Sequence, residues 1–376
     1  NGEGNYKKCG TILTNSVMVN FLFSFLLIAV MYSLSYLIPY LNQPKEVVEE
    51  AIPYLRVLTI SIIPFMLFQC YRQFLDGLSL PKPPMIISVT ANFLNAFLNW
   101  VLIFGNLGFE PLGLFGAGIA TTITRFLMAG SIIYFVMNAN SLKDYNSKFT
   151  LKAKELQVIK KLLDIGVPTG FQFFLEVACF AFATVMIGWI GTKQLAAHQI
   201  ALNLASVTYM VILGISAAGT IRVSNWVGKR NIKEIRYAGF TALSMATIVM
   251  FIFALIFIVF RNTLPYIYNN DFEVVEYASI LLIIAGLFQI FDGLQATGLG
   301  VLRGLTDVKI PLIISVIAYW LIAIPISYIL GFTYKLGLYG IWVGLLVGLL
   351  ILALLLLLRF SKKSKSIIEI DYNLNS

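Results

Sequence analysis

Charge is what this chain has least of. Only 12% of its 376 residues are charged, and it carries one histidine, His198, and three cysteines. Soluble domains run at about 25% charged and about 45–50% apolar residues. Here 59% are apolar, which excludes an ordinary soluble globule and indicates an integral membrane protein. Cys9, Cys70 and Cys179 stand alone, with no CxxC and no ligand spacing. They imply neither a disulfide framework nor a metal site and read as small packing residues. A single histidine excludes a histidine-rich metal centre. With no HExxH or comparable nucleophile–base motif, an enzyme is not indicated. Residues 1–13 show neither the apolar region nor the cleavage site of a signal peptide, so the chain is expected to begin in a loop. The net charge of +9 is, in a membrane chain, first a topology signal rather than a sign of nucleic-acid binding.

What is abundant is apolar sequence in runs of about 20 residues, enough to cross roughly 30 Å of hydrocarbon. Ten spans are expected near 15–37, 54–75, 84–104, 114–137, 164–190, 195–221, 237–260, 276–302, 310–331 and 337–359. Pro84, Pro168 and Pro311 are placed at first helical turns, where a missing N–H costs nothing. Most Lys and Arg fall on the side of residue 1, leaving Lys45, Arg56, Lys193, Arg261 and Lys335 opposite and Arg125 inside a span. The positive-inside rule then puts residue 1 and the carboxyl terminus in the cytoplasm, with the chain multi-pass in the cell (inner) membrane. The expected organisation is an incomplete amino-terminal lobe over 1–137, a cytoplasmic linker over 138–155, a carboxy-terminal lobe over 156–360 and a basic tail over 361–376.

The sequence also repeats. Gly77-Leu78-Ser79-Leu80-Pro81-Lys82-Pro83-Pro84 returns as Gly304-Leu305-Thr306-Asp307-Val308-Lys309-Ile310-Pro311, an offset of 227, and Glu46-Val47-Val48-Glu49 matches Glu273-Val274-Val275-Glu276 at the same offset. Gly113-Leu114-Phe115-Gly116 matches Gly337-Leu338-Tyr339-Gly340 after small gaps. Two homologous bundles in tandem are implied, as in many secondary transporters. The fold expected is an all-α polytopic membrane protein with four and six spans here. Counting one offset back from the fifth span implies six and six in a longer version, with two amino-terminal spans outside this chain.

Of the 18 acidic residues, all but Glu176 and Asp292 fall in loops or at span ends. Each costs roughly 2.5 kcal/mol or more on insertion scales. Glu176 lies 12 residues inward from Asp164 and Asp292 11 residues from Arg303, so both sit near mid-bilayer in one lobe. Two carboxylates at one level can bind a metal cation, shuttle a proton or hold an organic cation. Helical spacing puts Gln172 on the face of Glu176, and Gln289 and Gln295 near that of Asp292. Asn95, with Asn92 and Asn99, forms a stripe on the third span, and Gln199 with Asn203 another on the sixth; both stripes line the lumen or hold helices together. Arg125 is read as snorkelling or pairing with a helix end more readily than as a substrate contact. His198 is read as hydrogen-bonded or packed locally, and the aromatics, Tyr209, Tyr319 and Trp320 among them, as lipid-facing or core.

These residues resemble the multidrug and toxic compound extrusion (MATE) transporters, most closely the NorM-type branch. The resemblance rests on Gly166-Val167-Pro168 leading into Phe174-Leu175-Glu176-Val177, on Leu195-Ala196-Ala197-His198-Gln199-Ile200-Ala201-Leu202-Asn203, and on Asp292-Gly293-Leu294-Gln295 followed by Leu302-Arg303-Gly304. It implies a twelve-helix, two-lobe monomer in membrane lipid that exports small organic cations by alternating access, with Na⁺ or H⁺ as coupling ion and no other cofactor. Glu176 and Asp292 become the seventh- and tenth-helix carboxylates, ligands of Na⁺ if that is the ion. Family members often carry a tyrosine four residues before the tenth-helix acid, where this chain has Phe288. The alternative within the superfamily is a lipid-linked oligosaccharide flippase, whose anionic substrate calls for basic cavity residues; Arg125 is the one candidate.

Overall fold

The computed structural model describes residues 1–41, 44–145 and 155–375. Among them there is no strand. The helices are α1 (Tyr6–Ser35), α2 (Lys45–Ile60), α3 (Ile62–Gly77), α4 (Lys82–Phe104), α5 (Gly113–Asn138), α6 (Leu156–Ile190), α7 (Thr192–Gly228), α8 (Ile232–Val259), α9 (Phe272–Gly304), α10 (Lys309–Val316), α11 (Ile324–Tyr328) and α12 (Gly337–Asn375). Nine of these segments, taking Lys309–Thr333 as one, are long and apolar enough to cross a membrane, and the bent pair α2–α3 makes ten. The all-helical polytopic fold is the one expected from the sequence. The chain separates into two compact units, amino through Leu162 and carboxyl from Leu163. Half of the 138–155 linker, residues 146–154, lies outside the described residues, and the basic tail continues α12 as helix as far as Asn375.

The repeat is visible in the backbone. Advancing by 227 residues carries Lys45 and Gly77, the ends of α2–α3, onto Phe272 and Gly304, the ends of α9. Both units leave that span through one C-terminal motif. Leu80 N–H donates to Leu75 C=O at 2.9 Å and Asp307 N–H to Leu302 C=O at 3.0 Å, so orphan carbonyls at each helix end are paired the same way. Ser79 and Thr306 sit between, at φ 63° and 59°. Left-handed backbone at a non-glycine residue costs about 1–2 kcal/mol, so sharing it at matched positions marks common ancestry of the loop rather than chance.

Two features depart from sequence expectation. The second span breaks at Ser61 with a 43° bend; Pro64, three residues on, has no N–H to continue the ladder back to Ile60. And Pro168 is inside α6 rather than at its start, because the helix already begins at Leu156. The ring removes a single hydrogen bond, a loss that packed helices in a membrane absorb.

The carboxyl unit has an extensive core built around α9, which packs on α7, α8 and α12. Small residues set that distance. A Cβ on Gly300 would run into Ser216 Oγ and lie 2.9 Å from Ser216 C=O, and one on Gly293 would lie 2.6 Å from Met250 Cγ. In hydrocarbon, where burial of apolar surface gives no net drive, such close backbone approach is what holds helices together.

Candidate functional site

α6 and α9 deliver the two mid-span acids to one place. Glu176 and Asp292 are both buried, at 6% and 7% exposure. Gln295, one turn beyond Asp292 on α9, donates from Nε2 to Glu176 Oε2 at 3.4 Å. Among the described residues Asp292 itself accepts no hydrogen bond. Gln289, one turn before Asp292, accepts from Thr208 Oγ of α7 at 2.9 Å.

The surroundings are rich in polar atoms that have no partner. Eight buried side-chain polar atoms are unpaired among the described residues, and four of them belong here: Gln172 Nε2, Gln289 Nε2, Gln295 Oε1 and the Tyr319 hydroxyl. Leaving a polar group buried and unpaired costs about 1–3 kcal/mol. A cluster of them beside two acids is the signature of a site that expects an occupant. It offers carboxylate, carbonyl and phenol oxygens, a set suited to a hard cation or to a proton shared among oxygens. No group of three or more His, Cys, Asp or Glu is placed for a metal ion among the described residues.

Tyr319 is the residue that sequence pattern did not single out. It lies in a π-helical stretch, Ile317–Ala323, between α10 and α11, is 1% exposed, and its backbone C=O accepts from Cys179 Sγ, one turn beyond Glu176 on α6, at 4.0 Å. π-Helical turns recur at functional sites because the extra residue re-aims a side chain. Nothing in residue periodicity signals one. The next residue, Trp320, donates its indole N–H to Leu175 C=O at 3.3 Å, tying the π segment to α6 beside Glu176. α6 also packs into the carboxyl core through the buried Cys179, Ala183, Met186 and Ile187. Phe288 is filled in apolar fashion, its ring edge-on to Phe180 at 6.0 Å and to Trp342 at 5.3 Å. Arg303 stacks over Phe173, one turn before Glu176 on α6, at 5.4 Å.

The other sequence candidates lie elsewhere. Gln199 and Asn203 are exposed, and Asn203 Oδ1 accepts from Tyr268 hydroxyl at 2.8 Å. Asn95 works inside the amino unit, donating to Thr124 Oγ on α5 at 3.4 Å and accepting from Asn99 at 3.1 Å, so that stripe holds α4 to α5. His198 is fully buried between Trp342, whose Nε1–H donates to Nδ1 at 3.0 Å, and Thr184 Oγ, 2.9 Å from Nε2. An indole is only a donor, so Nδ1 must be an acceptor and the ring neutral, with its proton on Nε2.

Comparison with known proteins finds likeness in both sequence and fold. The family model described as MatE matches residues 1–101 and 168–329. The multidrug resistance protein NorM of Photobacterium profundum is 30% identical over 363 residues, covering 96% of this chain and 80% of its own length. The multidrug resistance protein MdtK of Yersinia pseudotuberculosis is 31% identical over 364 residues, with the same coverage of 96% and 80%. In fold, the chain is similar to the crystal structure of the eukaryotic MATE transporter AtDTX14, at a TM-score of 0.88 and 24% identity over 98% of this chain and 83% of that one. It is also similar to an outward-facing MATE family transporter of the MOP superfamily, at 0.87 and 19% identity over 98% and 84%.

Proposed function

The chain belongs to the MatE family, and from that premise we propose that it is a multidrug efflux transporter working as an antiporter, exporting cationic amphipathic compounds in exchange for Na⁺ or H⁺. The observation that carries this reading is the buried pair Glu176 and Asp292, with Gln295 bonded to the first, one turn from the second, and left with an unpaired Oε1. Two acids in a low-dielectric pocket hold one positive species well and two poorly. An organic cation and an inorganic one therefore compete for them.

The exchange follows from that competition. A Na⁺ or proton arriving from outside takes the carboxylates and weakens their hold on an organic cation, which leaves outward. When the site is exposed inward the small cation departs down its gradient and the next organic cation enters. One monovalent cation entering for one leaving moves no net charge, so such an exchange is driven by the small cation's own concentration gradient; each further charge entering gains about 2.3 kcal/mol per 100 mV. Gln172 and Gln289 keep amide N–H groups free for the carboxylates or for water between them. Oxygen donors already in place favour Na⁺, and exclusion of water favours a neutral acid and hence H⁺.

The distribution of Lys and Arg supports the cell's inner membrane, with residue 1 and the carboxyl terminus cytoplasmic. The partners of this reading are organic cations and lipid, with the protein acting as a monomer. Its test is efflux of ethidium from proteoliposomes holding the full chain, under an imposed Na⁺ or H⁺ gradient. Wild type is expected to respond to one of the two gradients and the Glu176→Gln, Asp292→Asn double variant to neither, while still inserting normally. Gradient-driven efflux by the double variant at the wild-type rate rejects the pair as the coupling site.

A further inference from the structure

The amino unit holds a cation for which the carboxylate chemistry has no use. Arg125 lies midway along α5, about 18 Å from its start at 1.5 Å per residue. An ionised side chain at that depth turns to protein or to a water-filled lumen. Among the described residues no Asp or Glu lies within ion-pair distance of it.

Its surroundings are nevertheless built. Gly118, Thr122 and Arg125 fall on one face of α5 at helical spacing. A Cβ on Gly118 would lie 3.2 Å from the Tyr54 ring, and Thr122 Oγ donates to Val57 C=O at 3.2 Å, so this face lies against α2. At its end Arg125 Nη1 donates to Ser61 Oγ at 2.7 Å, and the guanidinium sits 4.8 Å above the Phe65 ring. Ser61 is wholly buried at the 43° break, its hydroxyl donating in turn to Leu58 C=O at 2.6 Å. Hence one face of the guanidinium is covered by an aromatic ring and one N–H is satisfied. Its remaining N–H groups bond to none of the described residues, and the side chain is only partly buried. A planar cation held by stacking, with free N–H groups side by side, matches the two oxygens of a carboxylate or phosphate.

We propose that Arg125, aimed by Ser61 and Phe65, is an oxyanion-binding site of the amino unit that recognises the acid group of an amphiphile. The proposal rests on the transport reading, and gives the acid group of a substrate that carries one a place in the amino unit.

The experiment pairs two compounds, ethidium, which has no acid, and norfloxacin, which has a carboxylate. In proteoliposomes of phosphatidylcholine, Arg125→Gln is expected to raise the KM for norfloxacin about tenfold or more, the loss of one charge-assisted bidentate contact. The KM for ethidium stays within about twofold. Arg125→Lys, which keeps the charge but not the fork, falls between wild type and Arg125→Gln. Equilibrium binding of norfloxacin to the detergent-solubilised chain, read by its own fluorescence, follows the same order and reports the site whether or not efflux runs. A second arm adds phosphatidylglycerol. If that lipid raises the wild-type norfloxacin KM and Arg125→Gln removes the sensitivity, the site binds lipid phosphate as well, and the oxyanion assignment stands. Equal losses for ethidium and norfloxacin would mean that Arg125 merely props the bend, and unchanged norfloxacin binding in Arg125→Gln would mean that nothing acidic binds there; either overturns the proposal. Failure of wild-type ethidium efflux strikes the transport reading, and the binding measurement still decides this one.

Discussion

The two units share a backbone plan and differ in the sign of what they bury. Position 292 in the carboxyl unit corresponds, one repeat earlier, to position 65. The first is an aspartate beside Glu176, and the second a phenylalanine under the guanidinium of Arg125. Position 288 is Phe288, packed between Phe180 and Trp342, and its counterpart is Ser61, which breaks its span and bonds Arg125. Duplication supplied one scaffold twice, and three or four side chains reversed its polarity. The lesson is that topology and close glycine contacts belong to the scaffold, whereas the charge chemistry is local and can be exchanged site by site.

The sharpest way to break that contrast is to carry the amino unit's residue into the carboxyl unit. Asp292→Phe should lower gradient-driven ethidium efflux by about a hundredfold or more, since removing one partner of a buried charged contact costs about 2–5 kcal/mol. Phe65→Ala, the matching change in the amino unit, should leave ethidium efflux within about twofold. An equal loss from both would show that the two positions are equivalent in use as well as in place.

Packing gives the next largest effect, again unequal between units. Gly300→Leu forces a side chain into Ser216 and should destabilise the protein by about 1–3 kcal/mol, seen as a lower midpoint of thermal unfolding in detergent. Gly130→Leu in the amino unit meets nothing within 4 Å and should not lower it. Below these lies Tyr319→Phe. Taking away one hydroxyl from the carboxylate surroundings should weaken the apparent affinity for the coupling cation about five- to thirtyfold, the equivalent of about 1–2 kcal/mol. It should spare the affinity for ethidium, and a titration of efflux against Na⁺ or pH separates the two.

How much of this the residues disclose in advance depends on which interactions set each feature. Span number, the repeat and its offset follow from apolar runs and loop identity, because a membrane allows little besides helices and the loops recur almost residue for residue. The acids stood out because charge is so costly at their depth, and helical spacing then selected Gln172, Gln289 and Gln295. The same spacing selected Gln199 and Asn203, which are exposed on the carboxyl unit, as a stripe lining a lumen also is. Periodicity finds a stripe but not the direction it faces, which tertiary packing decides. The bend at Ser61, the helical passage through Pro168 and the π stretch that aims Tyr319 leave no trace in hydropathy, since each is a backbone adjustment to neighbours far along the chain.

His198 is the finest test of where one unit's special chemistry ends, because the amino unit has no histidine, and the residue joins α7 to Thr184 of α6 and Trp342 of α12. Its hydrogen bonds argue that it is scaffold. Trp342 donates into Nδ1, so Nε2 carries the proton toward Thr184 Oγ, whose own hydrogen goes to Phe180 C=O at 2.9 Å. A second proton at Nδ1 would have to displace the indole N–H. Trp342→Phe removes that donor along with part of the aromatic packing on Phe288, and should cost about 1 kcal/mol of stability for the lost bond. His198→Asn should likewise lower stability and leave the shape of the efflux pH profile as in wild type. A profile whose inflection moves or disappears in His198→Asn would make this imidazole a carrier of the coupling proton, and would extend the carboxyl unit's chemistry from α6 and α9 to α7 and α12.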